Sequence, residues 1–220
     1  MKFGTEILVI ELIGIIAFAV SGALVAMKKH FDLFGIIVLG VITAVGGGAV
    51  RDLILGINPP AMFQNSLYVF VAFLTSVAAF GFGTLAAIKL KKNRKFFIDI
   101  VNFFDAIGLG VFAVTGTNTA LINGHEGNAF LAIFVGVVTG IGGGMLRDIL
   151  AGKIPFVLYK DIYASAAIIG ASIYYVMYIN KVNSFVSVSS SILVTILIRL
   201  LATFYHLGLP KIPAIKIPKK

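Results

Sequence analysis

Long runs of apolar residues dominate this chain, and short polar interruptions divide them into seven windows. A bilayer core about 30 Å thick is crossed by about 20 apolar helical residues. None of the windows alternates apolar and polar residues over about ten positions, as the strands of a membrane barrel do. A hydrocarbon environment also requires each segment to satisfy its own backbone polar groups, which a helix does. The pattern therefore predicts an all-α membrane protein with seven transmembrane helices, at residues 7–27, 33–57, 67–88, 97–122, 129–152, 156–180 and 185–206.

The composition excludes a soluble globular domain. Hydrophobic residues make up 59% of the 220 and charged residues 12%, whereas soluble domains have roughly 45–50% apolar and about 25% charged residues. The net charge of +9 resides on few residues, which points to a membrane surface as the partner and not to nucleic acid. We expect one polytopic domain over 1–208 and a basic tail over 209–220, whose four lysines are attracted to anionic lipid headgroups.

Basic residues lie mainly on one side of the predicted helices. One side collects thirteen lysines and arginines, including the tail, and the other side has two, Lys2 and Lys181. An excess of positive charge marks the cytoplasmic side of a membrane protein. The chain is therefore predicted to lie in the plasma membrane with its N-terminus outside and its C-terminus in the cytoplasm.

An internal repeat is the strongest organisational signal. Three glycines, followed three and four residues later by arginine and aspartate, occur twice at an offset of 96 residues, and Glu11 aligns with Asp105 after a two-residue shift. Repeat one covers about 7–88 and repeat two about 97–180, and a seventh helix follows at about 185–206. Each repeat has three windows, so the second copy must enter the membrane from the opposite side. The repeats are predicted to be inverted, a layout in which transport sites lie near the midplane between the halves.

The glycine triplets interrupt otherwise apolar windows at Gly46, Gly47 and Gly48 and at Gly142, Gly143 and Gly144. Each glycine costs about 1 kcal/mol relative to alanine inside a helix. One interpretation is a broken helix whose freed backbone carbonyls line a water-filled path and hold K⁺ transiently. The alternative is close helix packing through small residues. We expect breaks in the second and fifth helices.

Ionisable residues follow each triplet, as Arg51 with Asp52 and as Arg147 with Asp148. A charge near the bilayer centre costs at least about 2.5–3.5 kcal/mol, so such residues normally pair or face water. We expect each arginine to pair with an acidic group of its own or of the facing repeat and to hold a vestibule open. The alternative is an interfacial ion pair that extends to the membrane surface. Glu11 and Asp105 are candidate cation-attracting carboxylates at the two mouths, or partners of these arginines.

Six polar side chains fall at mid-membrane depth, where their oxygens suit the replacement of water around a monovalent cation: Ser21, Thr43, Thr115, Thr117, Asn118 and Thr139. Singly, a serine or threonine is also satisfied by a carbonyl of its own helix. The chain has no plausible nucleophile and base pair, no metal-ligand spacing and no nucleotide-binding motif. We therefore expect neither an enzyme nor a bound cofactor.

The doubled motif, the two three-helix repeats and the seventh helix resemble the prokaryotic members of the trimeric intracellular cation (TRIC) channel family, which also carry the name glycine-transporter-domain proteins. The resemblance covers about residues 7–206. It implies a homotrimer with an hourglass pore for monovalent cations, mainly K⁺, in every protomer, and bends at the two glycine triplets. Animal members carry a basic lipid-binding signature at the first triplet, where this sequence has Ala49, Val50, Arg51 and Asp52.

Two functions remain open from the sequence. A passive K⁺ channel needs a continuous polar path, which the serine, threonine and asparagine set and the glycine carbonyls could supply. A transporter of a small amino acid such as glycine needs one charge for the carboxylate and one for the amine, and each arginine and aspartate pair has both. A scaffold without flux fits poorly with ionisable residues repeated in both halves.

Overall fold

The fold is seen in a computed structural model, which describes residues 2–90, 94–158, 162–205 and 207. The predicted tail at 209–220 lies outside them. The described chain is helical: α1 (Lys2–Lys28), α2 (Leu33–Leu55), α3 (Ala61–Gln64), α4 (Leu67–Leu90), α5 (Arg94–Ala120), α6 (Ala129–Leu150), α7 (Ala164–Ile179) and α8 (Ser184–Phe204). A π-helical turn at Leu121–His125 extends α5, and a 3₁₀ turn at Phe156–Leu158 precedes α7.

The equivalent helices α2 and α6 begin and end in the same way. The side chains of Asp32 and Asn128, which are 96 residues apart, accept hydrogen bonds from backbone amides of the first turns. After each helix, a glycine adopts a left-handed conformation, Gly56 with φ 69° and Gly152 with φ 62°. Glycine adopts such a conformation without the steric cost of a Cβ. The sequence repeat therefore encodes matched helix boundaries.

The expected spans are confirmed for five helices within the described residues. Segments Glu6–Lys28, Leu33–Leu55, Phe97–His125, Ala129–Leu150 and Ser184–Phe204 are long and apolar enough to cross a membrane, and Leu67–Gly83 and Ala164–Ile179 are apolar but shorter. The window predicted at 156–180 begins later as a helix because Pro155 and the 3₁₀ turn precede it. Proline favours an extended conformation for the residue before it and cannot donate a backbone hydrogen bond.

Four helices, α1, α2, α5 and α6, form the centre of the bundle. The most extensive contacts join α5 with α6, α1 with α2, α2 with α6 and α1 with α5. Helix α4 packs against α1 and α2, and α7 packs in the same way against α5 and α6, while α8 lies against α5 and α7. Phe18 of α1 and Phe112 of α5 meet at the centre, with their ring centroids 5.3 Å apart.

The helix ends show how the two halves are placed. At one end of the bundle, apolar residues from the end of α1 and the start of α2 pack with Val101 near the start of α5 and Ala151 after α6. At the other end, Ile7 of α1 and Leu55 of α2 pack with the last turns of α5 and the first turns of α6. Helix α1 therefore runs antiparallel to α5, and α2 runs antiparallel to α6.

The glycine triplets lie inside helices that continue through them, so the predicted breaks at Gly46–Gly48 and Gly142–Gly144 are not found. The triplets serve the crossing of α2 and α6. A Cβ on Gly47 would collide with the backbone carbonyl oxygen of Thr139, and a Cβ on Gly143 would collide with that of Thr43. The alternative interpretation, close packing through small residues, is therefore the one observed. The hypothesis that freed carbonyls at these triplets hold K⁺ transiently depended on the breaks and stays a prediction.

Candidate functional site

A cluster of charged residues connects α1, α2 and α4. The Nε of Arg51 donates to Oδ1 of Asp52 at 2.8 Å, and its Nη1 lies 3.7 Å from Oε1 of Glu11. The hydroxyl of Tyr68 donates to the other oxygen of Glu11 at 2.7 Å. Two carboxylates and one guanidinium give this first cluster a formal net charge of −1.

A small cavity that is open to solvent adjoins the first cluster. The charged residues Glu11, Arg51 and Asp52 line it together with apolar side chains and two aromatic rings, those of Tyr68 and Phe112. The side chain of Glu11 is 14% exposed, whereas that of Asp52 is 1% exposed. A carboxylate with partial access to solvent and excess negative charge attracts cations into the cavity.

An equivalent cluster lies at the opposite end of the bundle, between α5 and α6. The Nη1 of Arg147 donates to Oδ1 of Asp105 at 2.6 Å, and its Nε donates to Oδ1 of Asp148 at 2.9 Å. The same Nη1 also donates to the hydroxyl oxygen of Ser21 at 2.6 Å. The side chains of Arg147 and Asp105 have no exposed surface. This second cluster is therefore sealed, whereas the first opens to a cavity.

Each arginine thus pairs with acidic groups of its own repeat, and the pairs are buried. Burial of an ion pair is tolerable only when the charged atoms find partners. The structure brings together the residues predicted at each mouth: Glu11, Arg51 and Asp52 at one end, and Asp105, Arg147 and Asp148 at the other. The alternative of surface-directed ion pairs does not describe them, because the arginine side chains are 7% and 0% exposed.

The second oxygen of each aspartate fixes the chain that follows the helix. Oδ2 of Asp52 accepts from the backbone amide of Ala61 at 2.7 Å, and Oδ2 of Asp148 accepts from the amide of Phe156 at 3.0 Å. Ala61 and Phe156 are 95 residues apart, and so are Tyr68 and Tyr163. The two clusters therefore have matching parts, but at one matched position the first has the methyl group of Ala61 and the second has the ring of Phe156. The Phe156 ring centroid lies 5.1 Å from Cζ of Arg147.

Tyr163 and Arg199 complete the second cluster. A Cβ on Gly144 would lie 2.8 Å from the Tyr163 hydroxyl and 3.6 Å from Oδ1 of Asp105, so these side chains converge on this glycine. Arg199 of α8 places its guanidinium over the Tyr163 ring, at 4.7 Å from Cζ to the centroid. At the corresponding position in repeat one, a Cβ on Gly48 would meet only Arg51 side-chain atoms among the described residues of other turns and helices, the closest at 3.7 Å.

The six polar residues predicted to line a path are buried, and most bond within the protein. Thr43, Thr117 and Thr139 donate to backbone carbonyls four residues earlier in their own helices. Asn118 accepts from the hydroxyl of Tyr174 at 2.7 Å, and Ser21 accepts from Arg147. The Thr115 hydroxyl has no hydrogen-bond partner among the described residues. Their role along a cation path stays a prediction.

Basic residues gather at the end of the bundle that holds the second cluster. Burial lowers the pKa of Lys153, and the positive charges of Lys28 and Lys29 act in the same direction. The Lys28 ammonium also lies 5.9 Å from the centroid of the Phe97 ring at the start of α5. All three belong to the thirteen basic residues that the sequence predicts on one side of the membrane, and they lie at the same end of the bundle.

Sequence reasoning missed Phe156, Tyr163, Tyr68 and Arg199 as parts of the clusters. The first three are aromatic residues in or next to apolar windows, where such residues carry no distinctive signal. The signal was the repeat itself. Pro59 and Pro155 are 96 residues apart, and beyond them an offset of 95 residues pairs Ala61 with Phe156 and Tyr68 with Tyr163. Arg199 has no counterpart in repeat one, so the repeat could not reveal it.

The fold and the clusters define a polytopic α-helical membrane protein with buried charges at both ends. The chain matches the family model described as Glycine transporter over residues 8–84 and 102–179. It is 38% identical to the UPF0126 inner membrane protein YadS of Escherichia coli K12, over 91% of this chain and 93% of that protein. It is 43% identical to the UPF0126 membrane protein YvgT of Bacillus subtilis 168, over 74% of this chain and 77% of that protein. The chain belongs to the TRIC/UPF0126 family.

Solved structures of similar proteins share the fold. The TRIC trimeric intracellular cation channel orthologue from Rhodobacter sphaeroides is 32% identical, with a TM-score of 0.84 over 92% of this chain and 100% of that chain. A prokaryotic TRIC channel crystallised in 0.5 M KCl is 33% identical, with a TM-score of 0.83 over 93% of this chain and 99% of that chain. The resemblance stated from the motifs is confirmed.

Proposed function

We propose that this chain is a channel for monovalent cations, chiefly K⁺, with one pore in each protomer of a homotrimer. The observation that carries the proposal is the first cluster, where Glu11, Arg51 and Asp52 give a formal net negative charge beside a small cavity that is open to solvent. Such a vestibule concentrates cations and needs no chemical step. The likeness to channels named as trimeric and cation-conducting supports both parts of the proposal.

We place the pore between the two halves of the chain, which we propose to be inverted repeats that meet where α2 crosses α6. The antiparallel packing of α1 with α5 and of α2 with α6 supports this arrangement. In the described conformation the crossing is closed, because α2 and α6 touch at Gly47 and Gly143 and the rings of Phe18 and Phe112 fill the centre. Conduction therefore requires these helices to separate or bend at their glycines.

A second candidate is transport of glycine or a similar small amino acid. The family model bears the name Glycine transporter. In the first cluster, Arg51 offers a charge for the carboxylate of such a substrate, and Glu11 offers one for its amine. Because Arg51 is held by Asp52 at 2.8 Å, a bound carboxylate would have to compete with that contact.

Flux in liposomes tests the two candidates side by side. We expect the purified protein to carry K⁺ down its gradient and to leave labelled glycine outside. Uptake of labelled glycine with counterflow, in the absence of K⁺ flux above that of protein-free liposomes, would establish the transporter instead.

Removal of one carboxylate tests the observation that carries the proposal. Glu11→Gln makes the first cluster neutral, and a unit charge about 10 Å from an ion is worth on the order of 1 kcal/mol at an intermediate dielectric constant. We expect K⁺ flux to fall about fivefold. Glu6→Gln is the matched control, because it removes an exposed carboxylate of the same helix that does not line this cavity. Equal effects of the two changes would contradict the role of the cavity.

A further inference from the structure

The two clusters have matching charged residues, but aromatic rings lie over the second cluster and leave the first open. Both aspartates hold the amide of the residue that begins the next segment, Ala61 in repeat one and Phe156 in repeat two. Alanine leaves the cavity beside Arg51 open, whereas the Phe156 ring lies against the guanidinium of Arg147 at 5.1 Å. Tyr163 occupies the space that Gly144 leaves free. These two rings cover the second cluster, and Arg147, Asp105 and Asp148 have at most 1% exposed side-chain surface.

The cover depends on α8, which lies outside both repeats. Arg199 rests on the Tyr163 ring at 4.7 Å and donates through Nη1 to the hydroxyl of Thr203 at 3.0 Å. Cation–π contacts are strongest when the cation is removed from water, and Arg199 is 3% exposed. Helix α8 thus supplies a cation that holds the tyrosine in place.

Several buried polar atoms around this cover lack hydrogen-bond partners in the part of the chain described. They are Nη2 of Arg147 and the Nε and Nη2 of Arg199. Buried polar groups in native proteins are almost always satisfied by protein or water. A cluster of this kind gains partners when water enters, so removal of the cover is favoured by hydration of these atoms.

We propose that Phe156 and Tyr163 close the second vestibule to water and cations, and that Arg199 is the positioning residue that holds Tyr163 closed. Among the described residues, the first vestibule has Ala61 in the place of Phe156 and stays accessible. Access to the path from the end that holds Lys153 is therefore controlled by the two rings. The expected changes in flux rest on the proposed channel function, whereas the cover itself does not.

Flux measurements test the cover, because its removal should raise K⁺ flux. Phe156→Ala gives repeat two the residue that repeat one has at Ala61, and Arg199→Gln removes the cation from the Tyr163 ring. We expect each change to raise K⁺ flux, by about two- to thirtyfold for Arg199→Gln, the range that the loss of a cation–π contact corresponds to. Arg199→Lys keeps the cation and should stay near the starting rate. Leu158→Ala is the control for Phe156→Ala, because Leu158 is 70% exposed in the same turn.

Accessibility tests the cover without relying on flux. The chain has no cysteine, so Ser21→Cys introduces a single thiol beside Arg147, behind the cover. We expect a small, water-soluble methanethiosulfonate cation to modify this thiol slowly in the purified full-length protein. Modification should be several-fold faster when Phe156→Ala or Arg199→Gln is added, and unchanged with Leu158→Ala.

The outcomes separate the cover from the channel. Equal modification rates in all backgrounds, or lower flux in both Phe156→Ala and Arg199→Gln with intact assembly, would overturn the cover. Faster modification in a protein that carries no K⁺ would support the cover and remove the channel function. Should Phe156→Ala fail to assemble, the comparison of Arg199→Gln with Arg199→Lys decides, and identical rates for that pair would overturn the role of Arg199.

Discussion

Arg51 and Arg147 each bond the aspartate that follows them directly in the sequence. Neighbouring residues on a helix do not face each other, so this pairing uses the Nε of the arginine and one oxygen of the aspartate, and leaves the second oxygen for a backbone amide. The sequence predicted that the arginines pair, because an unpaired buried charge is costly. It could not choose between partners in the same and the facing repeat.

Substitution of Asp52 and Arg51 tests the charge of the first vestibule. Asp52→Asn leaves Arg51 with Glu11 alone, at 3.7 Å, and makes the cluster neutral, so cation flux should fall about fivefold on a Coulomb estimate on the order of 1 kcal/mol. Arg51→Gln doubles the net negative charge and should raise cation flux. Flux of K⁺ into liposomes measures both effects.

The same two variants distinguish the second candidate function. A transporter that holds the substrate carboxylate at Arg51 and the amine at Glu11 should lose glycine uptake in Arg51→Gln, whereas Asp52→Asn removes the competing contact to Arg51 and should retain uptake. Equal and complete loss of K⁺ flux in both variants would contradict the channel interpretation of these residues. A raised K⁺ rate in Arg51→Gln would contradict the transporter interpretation.

At the scale of elements, the helix boundaries and the glycine crossing show what the repeat could predict. The windows cut at polar residues predicted the bounds of α2 and α6 closely, because each bound has a local signal, namely Asp32 and Gly56 or Asn128 and Gly152. The triplets were misinterpreted as breaks. Glycine lowers the cost of a break and also permits close contact, and only the position of the facing helix decides between them.

Alanine substitutions in one triplet test the crossing of α2 and α6. A Cβ on Gly47 meets the carbonyl oxygen of Thr139, and overpacking of this kind costs about 1–3 kcal/mol. Gly48→Ala meets no atom closer than 3.7 Å and gains up to about 1 kcal/mol of helix propensity. We expect a lower thermal midpoint in detergent for Gly47→Ala and Gly143→Ala, by about 3 °C or more. The midpoint of Gly48→Ala should be equal to that of the starting protein or higher.

Stability and flux together distinguish whether the glycine triplets serve close packing of α2 and α6 or also bending of these helices. If conduction bends α2 and α6 at their glycines, Gly48→Ala also reduces flux while the midpoint is unchanged, because alanine makes the helix harder to bend. Unchanged midpoints in Gly47→Ala and Gly143→Ala would contradict the close contact at the crossing.

At the scale of the whole molecule, the two ends differ although the halves repeat. One end has an open, negatively charged vestibule, and the other has a covered cluster below a face with Lys28, Lys29 and Lys153. The sequence predicted the positive side from charge alone. It could not predict the cover, because Arg199 comes from the unrepeated helix and Phe156 differs from Ala61 by substitution at one matched position.

The orientation of the molecule follows from this asymmetry. Each lysine near an anionic cytoplasmic leaflet is worth about 1 kcal/mol, so the face with Lys28, Lys29 and Lys153 is expected inside the cell, and the open vestibule outside. Single cysteines in this cysteine-free chain test the expectation: Val182→Cys should react with an impermeant maleimide in intact cells, and Lys29→Cys only after lysis. Both positions are exposed. Reaction of Lys29→Cys in intact cells would reverse the orientation and place the covered vestibule outside.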